Sequence, residues 1–427
     1  MQKQSWGLFP QTNSEQIDFA WLPKSLPQIK PLLPFGLGRS YGDSCLNDQG
    51  QLLVTEKLNR YISFDPNSGI LEAESGVSLE QILLDFVPRG WFLPVTPGTK
   101  FVTLGGAIAN DVHGKNHHSV GNFGHHVISF QLLRSDQQIY QCSRTQNSDL
   151  FYATIGGIGL IGLILTVQFQ LTPIQSAYIN QDIIPFENVD EFYQLSKEST
   201  NQFKYNVAWI DCFSNSQNQN RGLFYRGNFS TDGRLETHRS KSQLQVPFYF
   251  PQGVLNSFSI KAFNEVYFQT NKIKNSHQVT HYNPFFYPLD AIHHWNRIYG
   301  RSGFYQYQCV VPWKNQLAIN DLFKEITRTQ LGSFLAVLKV FGELPSLGML
   351  SFPEPGITLA LDFPVNPDST KLLDHLDEIV MQAQGKVYIA KDARMSRKAF
   401  QQFYPRFHEF QKFIDPQFSS SFLRRVT

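Results

Sequence analysis

Two stretches in the first third of the chain combine glycines with side chains that could do chemistry. The longer one, TLGGAIANDVHGKNHHSVGNFGHHV at 103–127, contains five histidines. His113 and His117 have the spacing of two zinc ligands on one face of a helix. The surrounding glycines disfavour such a helix, and no glutamate completes an HExxH pattern. We therefore expect no metal site here.

The same glycines suit a different purpose, because residues without side chains let the main chain lie directly against a flat ligand. In this interpretation Thr103, Asn110 and Asn116 bond the polar edge of the ligand, together with one or two of the histidines. The remaining histidines are then structural or exposed.

The shorter stretch, PFGLGRSYGDS at 34–44, allows two interpretations. Its three glycines let backbone N–H groups converge on an anion, with Arg39 adding charge, but they also suit a tight turn between strands. The stretch matches neither the Walker P-loop nor the Rossmann fingerprint. A dinucleotide of the flavin type has a pyrophosphate and a broad ring system, and it would occupy both stretches together.

Lysines inside strand-like sequence form a third chemical feature. Lys339 lies in VLKVFG and Lys391 in YIAKDAR, while Lys115 lies in HGKNH. A single lysine of this kind usually lies at a sheet edge with its amine in water. If the three converge in one cleft, they can bind a phosphorylated substrate, and a desolvated amine can act as a base. Gln306 and Gln308 alternate on one strand face nearby.

Short strands separated by glycine and proline must position these residues. From residue 30 to about 175 the sequence predicts strands in QLLVTEKL, GILEAESGV, WFLPVTPG and VISFQLLRSDQQIYQCSR. One helix is clear, because Ser78 and Gln81 form a capping box before an apolar face over 79–86. The apolar run at 153–171 predicts a glycine turn that leads into a buried strand, not a membrane span.

A second sheet is predicted further along the chain. The segments GFYQYQCVVPW, FLAVLKVFG and GITLALDFPV indicate one broad sheet between 280 and 365. The polar stretch 214–245 predicts a long surface loop or lid, and a domain boundary is expected near 175. Near the end of the chain, GKVYIAKDAR predicts a strand and a turn. The phenylalanines at 400–410 recur at helical spacing, but Pro405 lies among them and predicts two short helices instead of one.

Composition excludes several classes of protein. A length of 427 residues predicts two domains, or one domain with a large insertion. A net charge of +2 with a pI near 8.2 disfavours a nucleic-acid partner. Four cysteines without CxxC spacing indicate reduced thiols in a cytoplasmic protein. The first residues lack the apolar core of a signal peptide, so we expect no secretion signal.

The two glycine stretches, in this order, resemble the FAD-linked oxidases of the vanillyl-alcohol oxidase and p-cresol methylhydroxylase superfamily. The likeness continues through GGIGLIGLI, WNRIYG, YQYQ, LKVFG, LSFPEPG and YIAKDAR, and so extends over nearly the whole chain. It implies a two-domain α+β fold of the FAD-binding PCMH/VAO type. An FAD-binding part at 1–175 and a C-terminal segment at 385–427 would flank a substrate-binding domain at 176–384, built on a broad antiparallel sheet.

The resemblance also assigns residues to ligands. FAD would be held by both glycine stretches and by two later positions, namely Pro34, Phe35, Gly36, Leu37, Gly38, Arg39, Ser40, Tyr41, Gly42, Asp43, Ser44, Gly98, Thr103, Leu104, Gly105, Gly106, Asn110, Asp111, Val112, His113, Ile164 and Tyr388. The sugar and phosphate would be bound by Lys115, Gln306, Gln308, Lys339, Phe341 and Lys391. Lys391 would act as the base or stabilise the developing alkoxide, and His113 would orient the substrate.

The implied reaction is the FAD-dependent oxidation of a secondary alcohol of a phosphorylated, polyprenyl-linked pentose to a keto-sugar. In the most similar branch of the family this is the first half of a 2-epimerisation for arabinose and cell-envelope synthesis, completed by an NAD(P)H-dependent keto-reductase. A lipid-linked substrate implies peripheral contact with the inner face of the membrane. Oxidation of free sugars, alditols or aldonolactones is the alternative within this enzyme class. A histidine-ligated metal hydrolase and a non-catalytic nucleotide-binding scaffold are the alternatives outside it.

Four positions depart from the pattern of the family. Covalent members often carry a histidine in the first glycine loop, whereas Tyr41 stands there in this chain, so we expect FAD bound without a covalent bond. Ala360 replaces a cysteine, Thr358 an asparagine and Phe286 a tyrosine of other members. These three changes alter the sugar-side wall and leave open which pentose and which lipid the substrate carries.

Overall fold

The computed structural model describes residues 2–20, 25–213, 220–237, 244–251, 253–273 and 277–427. The strands are β1 (Glu15–Asp18), β2 (Leu32–Phe35), β3 (Gln51–Val54), β4 (Tyr61–Asp65), β5 (Ile70–Glu74), β6 (Trp91–Phe92), β7 (Val127–Leu133), β8 (Ile139–Ser143), β9 (Leu163–Gln170), β10 (Thr172–Pro173), β11 (Tyr178–Phe186), β12 (Tyr205–Ile210), β13 (Gly222–Phe229), β14 (Leu244–Gln245), β15 (His277–His281), β16 (Ile292–His293), β17 (Phe304–Pro312), β18 (Ala336–Phe341), β19 (Gly356–Pro364) and β20 (Lys386–Val387). The α-helices are α1 (Leu79–Phe86), α2 (Leu104–Ala109), α3 (His117–Val120), α4 (Ser148–Thr154), α5 (Val189–Ser199), α6 (Ser257–Ile273), α7 (Tyr282–Phe286), α8 (Ala318–Thr329), α9 (Pro367–Gln382), α10 (Arg397–Phe403), α11 (Phe407–Phe410) and α12 (Ser421–Val426).

The first large sheet is antiparallel and has the strand order β4-β5-β9-β7-β8. It confirms the strands predicted in GILEAESGV and VISFQLLRSDQQIYQCSR and the buried strand that follows the glycine turn. The strand predicted in WFLPVTPG is limited to Trp91–Phe92, which pairs with β10 outside this sheet. Helix α1 is confirmed with its capping box, since the Ser78 hydroxyl accepts from the Gln81 N–H and the Gln81 side chain accepts from the Ser78 N–H. A smaller parallel sheet, β1-β3-β2, precedes it and leads into the first glycine stretch.

The second large sheet has eight antiparallel strands in the order β15-β11-β13-β12-β18-β19-β17-β20. Strands β18, β19 and β17 are adjacent, which confirms the broad sheet predicted from their sequences. The pairing of β17 with β19 is continuous from Phe304 opposite Pro364 to Pro312 opposite Gly356. This register sets Gln306 opposite Asp362 and Gln308 opposite Ala360. The polar residues of β17 therefore share a sheet face with residues of β19.

The prediction of a surface loop over 214–245 is wrong for residues 222–229. These residues form β13, which lies inside the second sheet between β11 and β12. Its buried side chains include Leu223 and Phe224, and Arg226 is paired with Asp182 of β11 at 2.9 Å. The polar composition on both sides hid a short aromatic strand whose one charge has a partner. Residues 214–219 and 238–243 lie outside the described part of the chain.

The C-terminal segment returns to the first part of the chain. Pro405 separates α10 from α11, as predicted, and the chain then runs beside β2, where Ser419 donates its N–H to the Leu32 carbonyl at 2.9 Å. Before that, β20 joins the edge of the eight-stranded sheet and leads into a 3₁₀ turn over Ile389–Lys391. Within the ranges described above, no helix has the length and apolar character needed to cross a bilayer.

Candidate active site

Residues from both large sheets line a cavity of about 610 Å³. This volume is within the usual range of ligand pockets. Residues assigned from the sequence that line it are Pro34, Gly36, Leu37, Gly38, Arg39, Ser40, Tyr41, Ser44, Gly98, Thr103, Gly105, Gly106, Asn110, Val112, His113, Lys115, Ile164, Gln306, Gln308, Lys339, Tyr388 and Lys391. Stretches that are far apart in sequence therefore converge on one space.

The two glycine stretches are in direct contact. A Cβ on Gly36 would lie 2.4 Å from the Thr103 hydroxyl oxygen, so the backbone approach at this point requires glycine. That hydroxyl also caps α2, because it accepts the Gly106 N–H at 3.1 Å. This short helix is not predicted from the sequence, because two of its six residues are glycines, which have low helix propensity. The contact fixes the first loop against the start of α2.

Six of the assigned residues stand behind the cavity wall: Phe35, Gly42, Asp43, Leu104, Asp111 and Phe341. Phe35 and Leu104 are core side chains. Gly42 packs against the main chain, since a Cβ there would lie 1.7 Å from the Asp392 carbonyl oxygen. The ring of Phe341 lies 4.9 Å from that of His113 and supports it from behind. These residues can act on a ligand only through their neighbours.

Asp111 is the clearest example of such a supporting residue. It is fully buried and has a positive φ of 40°. Its carboxylate accepts hydrogen bonds from the Asn122 amide at 2.8 Å, from the Gly124 N–H at 3.0 Å and from the Ser351 hydroxyl at 2.6 Å. Asp111 therefore joins the histidine loop to the segment before β19, which keeps His113 in place.

Lys391 reaches the cavity from the 3₁₀ turn after β20. Its N–H donates to the Tyr388 carbonyl at 3.0 Å, and its amine lies 3.7 Å from the ring centroid of Tyr41. Burial lowers the pKa of Lys391 to about 7, while Asp362 raises it and Lys339 lowers it further. An amine with this pKa exists in both protonation states near neutral pH, as a general base requires.

His113, in the loop after α2, is held by Gln308 of β17. The Gln308 amide donates to His113 Nε2 at 3.0 Å and to the Thr358 hydroxyl at 3.1 Å. Burial lowers the pKa of His113 well below its ordinary value, and the nearby Lys339 lowers it further. The ring is therefore neutral, and because Nε2 accepts, the proton lies on Nδ1. Among the described residues Nδ1 is buried and has no hydrogen-bond partner.

Two further lysines line the same cavity. Burial lowers the pKa of Lys339 on β18 to about 8 and that of Lys115 to about 7, with Lys339 lowering the latter further. The Lys115 amine donates to the Phe285 carbonyl at 2.5 Å. An anion between these amines would hold them in their charged form. Lys115, Lys339 and Lys391 therefore line one cavity, which is the condition under which the sequence predicted a site for a phosphorylated substrate.

Several residues of the site were missed from the sequence. One of them is Trp6, whose ring centroid lies 3.9 Å from the guanidinium of Arg39. Burial lowers the pKa of Arg39, and the carboxylate of Asp290, another residue of the cavity wall, partly opposes this by raising it. Trp209 and Tyr225 line the far end of the cavity. Trp6 gave no local signal, because its partner lies in another segment. Asp362, next to the site, did give one, as a carboxylate inside the apolar strand GITLALDFPV.

Comparisons with known proteins agree with this geometry. A model of the FAD binding domain matches residues 28–143. The decaprenylphosphoryl-beta-D-ribose oxidase of Mycolicibacterium smegmatis is 36% identical over 411 residues, which cover 92% of this chain and 88% of that protein. The chain belongs to the FAD-linked oxidases of the vanillyl-alcohol oxidase and p-cresol methylhydroxylase superfamily. The resemblance noted in the sequence and the expected fold class are confirmed.

More distant relatives match shorter segments. The L-gulonolactone oxidase of Mus musculus is 29% identical over 148 residues, or 34% of this chain and 33% of that protein. The Delta(24)-sterol reductase of Mus musculus is 22% identical over 297 residues, or 65% of this chain and 51% of that protein. The chain is an FAD-dependent oxidoreductase that acts on CH–OH groups.

The cavity of this FAD-linked oxidase fits its cofactor on geometric grounds. A Cβ on Gly98 would meet no atom of the described residues within 4 Å, so this part of the wall opens directly onto the cavity. Arg39 presents a buried Nε without a hydrogen-bond partner among the same residues. A bare backbone suits a flat ring, and the Arg39 guanidinium, which lines the cavity, suits a phosphate. The wall therefore offers both surfaces that a flavin dinucleotide needs.

Proposed function

We propose that this oxidase converts a secondary alcohol of a prenyl-phosphoryl pentose to the keto-sugar. The proposal rests mainly on Lys391, His113, Lys339 and Lys115 lining one cavity, which is also lined by backbone at Gly36, Gly98, Gly105 and Gly106. The same cavity therefore contains titratable side chains, cations for a phosphate and bare backbone that suits a flat cofactor. The substrate named for the Mycolicibacterium relative has the matching chemistry, namely a pentose, a phosphoryl group and a prenyl chain.

In this proposal residues 34–44 hold the pyrophosphate of FAD, with Arg39 as its cation. Gly98 and residues 103–106 and 110–113 line the flavin, and Ile164 and Tyr388 complete the pocket. When bound, FAD would supply the hydride acceptor for the oxidation of the carbinol. The residues of the chain must therefore bind the sugar, orient its hydroxyl group toward the base and accept the hydroxyl proton.

Lys391 takes the hydroxyl proton. Its amine is unprotonated above a pH of about 7, so it can accept the hydroxyl proton as the alcohol is oxidised to the ketone. His113, which lines the cavity, orients the substrate, and Gln308 fixes the tautomer of the imidazole. Proton transfer to a positioned base contributes about 10²–10⁴ in rate.

Lys339 and Lys115 bind the phosphoryl group. Both amines have lowered pKa values in the cavity, and a bound phosphate raises them again, because it stabilises the ammonium form. Gln306 and Gln308 bond the sugar hydroxyls from β17. Phosphate binding and protonation of these two lysines thus reinforce one another.

The prenyl chain follows the sheet face away from Lys339. Along β18, β12, β13 and β11 the cavity is lined mainly by apolar and aromatic side chains: Val337, Val207, Trp209, Tyr225 and Ile183. Such a wall binds a hydrocarbon through burial of apolar surface, worth about 25 cal/mol per Å². Ala360 and Phe286 also line the cavity, and they add no polar group to its sugar end.

FAD is bound without a covalent bond. Tyr41 stands where covalent members carry a histidine, and burial raises the pKa of its phenol well above the ordinary value, so the nucleophilic phenolate does not form. After acid denaturation and filtration, all of the flavin should pass into the filtrate. Flavin that stays on the polypeptide would refute this part of the proposal.

The keto-sugar product requires a second enzyme, and we propose an NAD(P)H-dependent keto-reductase that returns it as the 2-epimer for arabinose and cell-envelope synthesis. A lipid-linked substrate also requires access to the inner face of a membrane. Exposed apolar side chains support peripheral contact there, since Leu244 is 72%, Phe248 62% and Phe258 81% exposed.

Anaerobic reduction of the bound flavin by a panel of sugars tests the proposed substrate. Prenyl-phosphoryl ribose should bleach the absorbance near 450 nm, a short-chain phosphoryl ribose should do so at higher concentration, and free ribose should not. Bleaching by free sugars, alditols or aldonolactones without a phosphate requirement would replace the proposal with oxidation of unphosphorylated substrates. Flavin that no substrate reduces would indicate a nucleotide-binding scaffold.

A further inference from the structure

We infer that Tyr41 is the positioning residue for Lys391: the face of its ring holds the lysine amine at the cavity. This inference rests on the role proposed above for Lys391. The Lys391 amine lies over the Tyr41 ring, 3.7 Å from its centroid. The Tyr41 N–H donates to the carbonyl of Ala390, the residue before Lys391, at 2.8 Å. The first glycine loop thus contacts both the backbone and the side chain of the turn that carries the proposed base.

The Tyr41 ring is itself held in place by β17. The rings of Tyr41 and Phe304 pack edge to face, with centroids 5.5 Å apart. Phe304 is fully buried and stacks on Tyr299, with centroids 4.3 Å apart. The backbone at Tyr41 is also tightly packed, since a Cβ on Gly7 would lie 2.2 Å from the Tyr41 carbonyl oxygen. An amine in contact with this ring therefore has a defined position relative to the eight-stranded sheet.

No polar group of the protein competes with the ring for this amine. Within the described part of the chain, the Lys391 side chain makes no hydrogen bond and no ion pair. The carboxylate of the next residue, Asp392, is paired with Arg425 at 2.8 Å. An ammonium ion is attracted to the face of an aromatic ring by the ring quadrupole, and the attraction is stronger away from water. Tyr41 therefore provides the contact that locates the amine.

The same contact favours the step in which Lys391 takes the hydroxyl proton. During that step the neutral amine becomes an ammonium ion, which the ring face binds more strongly than the neutral amine. Tyr41 thus stabilises the charge that appears as the proton is transferred, which lowers the barrier. The other charged or titratable groups around the amine are Asp362 on β19, Lys339 on β18 and neutral His113. Asp362 raises the pKa of Lys391 and Lys339 lowers it.

The position of the amine can be measured without substrate, by NMR of FAD-loaded protein labelled with [ε-¹³C]lysine. The Lys391 signal is assigned by its loss in Lys391→Arg. A group over a ring face is shielded, so this signal should lie upfield of ordinary lysine signals in the wild type. Tyr41→Phe, which removes only the hydroxyl group hydrogen-bonded to Gln306, should keep that shift. Tyr41→Leu should lose it, and Tyr41→Met should repeat the loss if the Leu variant folds poorly.

Tyr305→Leu is the matched control. Tyr305 follows Phe304 on β17, and its ring also packs edge to face on a phenylalanine, Phe9, with centroids 5.4 Å apart. It is buried outside the cavity wall. Loss of this ring should leave the Lys391 signal where it lies in the wild type. A Lys391 signal that is unshifted in the wild type, or that stays shifted in both Tyr41→Leu and Tyr41→Met, would overturn the inference.

A double-mutant cycle measures the effect on the reaction. Above the Lys391 midpoint of about 7, with saturating prenyl-phosphoryl ribose, Tyr41→Leu should slow flavin reduction. The loss should be about tenfold, as expected when a desolvated cation–π contact is removed, with the half-saturating substrate concentration unchanged. In Lys391→Ala protein the same change should cost nothing further, because the amine on which Tyr41 acts is gone.

Two other outcomes of this cycle are distinct. An equal loss in both backgrounds would overturn the inference, because Tyr41 would then act without Lys391. Normal flavin reduction in Lys391→Ala alone would instead refute the proposed base. The NMR comparison needs no sugar, so it would still decide whether Tyr41 positions the lysine.

Discussion

Arg425 donates hydrogen bonds to both carboxylate oxygens of Asp43, at 2.8 and 2.7 Å, although the two residues are 382 positions apart in sequence. The same guanidinium donates to Asp392 at 2.8 Å. One cation of α12 therefore joins the first glycine loop to the turn that carries Lys391. The position of the proposed base relative to the cofactor loop depends on this contact.

Arg425→Met should therefore destabilise the protein and loosen the site. The change leaves Asp43 and Asp392 buried without their cation, which costs about 3 kcal/mol for a broken buried pair. Urea denaturation of FAD-loaded protein should show this loss, together with reduced flavin content.

Arg424→Met is the control for that change, because Arg424 lies on the same helix and donates to the neutral oxygens of Asn47 and Ser419. It should cost about 1 kcal/mol, the usual value of a hydrogen bond. Equal losses in the two variants would show that the bridge to Asp43 has no special role.

Gly98→Ala should weaken FAD binding without affecting the fold. The added methyl group meets no described atom of the protein and projects into the cavity, where a bound flavin would meet it. An apoprotein melting temperature equal to that of the wild type and an FAD Kd raised about tenfold are expected, as for modest overpacking.

Gly42→Ala provides the contrast, since its Cβ would collide with the Asp392 carbonyl. This variant should lower the melting temperature of the apoprotein itself. Wild-type FAD affinity in Gly98→Ala would mean that the flavin does not lie against this wall.

The rate of flavin reduction should rise with pH through about 7 and then level off. Lys391 has a pKa lowered to about 7, so it is protonated below that value and a free base above it. Each pH unit below the midpoint should cost about tenfold in rate at saturating substrate. Because Lys339 lowers the pKa of Lys391, Lys339→Met should move the midpoint to higher pH. A rate that falls as pH rises through 7 would exclude Lys391 as the base.

The sequence was sufficient where a requirement is local. The glycines near residues 36 and 105 mark a backbone that must lie close to a ligand, and lysines such as Lys391 stand out inside apolar strands. Capping chemistry identified α1, and proline chemistry separated α10 from α11.

Other features depend on contacts between distant segments. Trp6 contacts Arg39, Arg425 contacts Asp43 and Asp362 contacts Gln306, and in each pair the partner lies in a distant segment of the chain or on another strand. Strand β13 was missed for a related reason, because the charge of Arg226 suggested solvent until Asp182 supplied a partner. Local patterns contain no information about such pairs.

Anaerobic flavin bleaching by prenyl-phosphoryl ribose in Lys391→Ala tests the central claim most directly. The variant should bind FAD as the wild type does and remain yellow, with its reduction slowed by about 10²–10⁴ because no base accepts the hydroxyl proton. Bleaching at the wild-type rate would contradict the account and remove Lys391 from the chemistry.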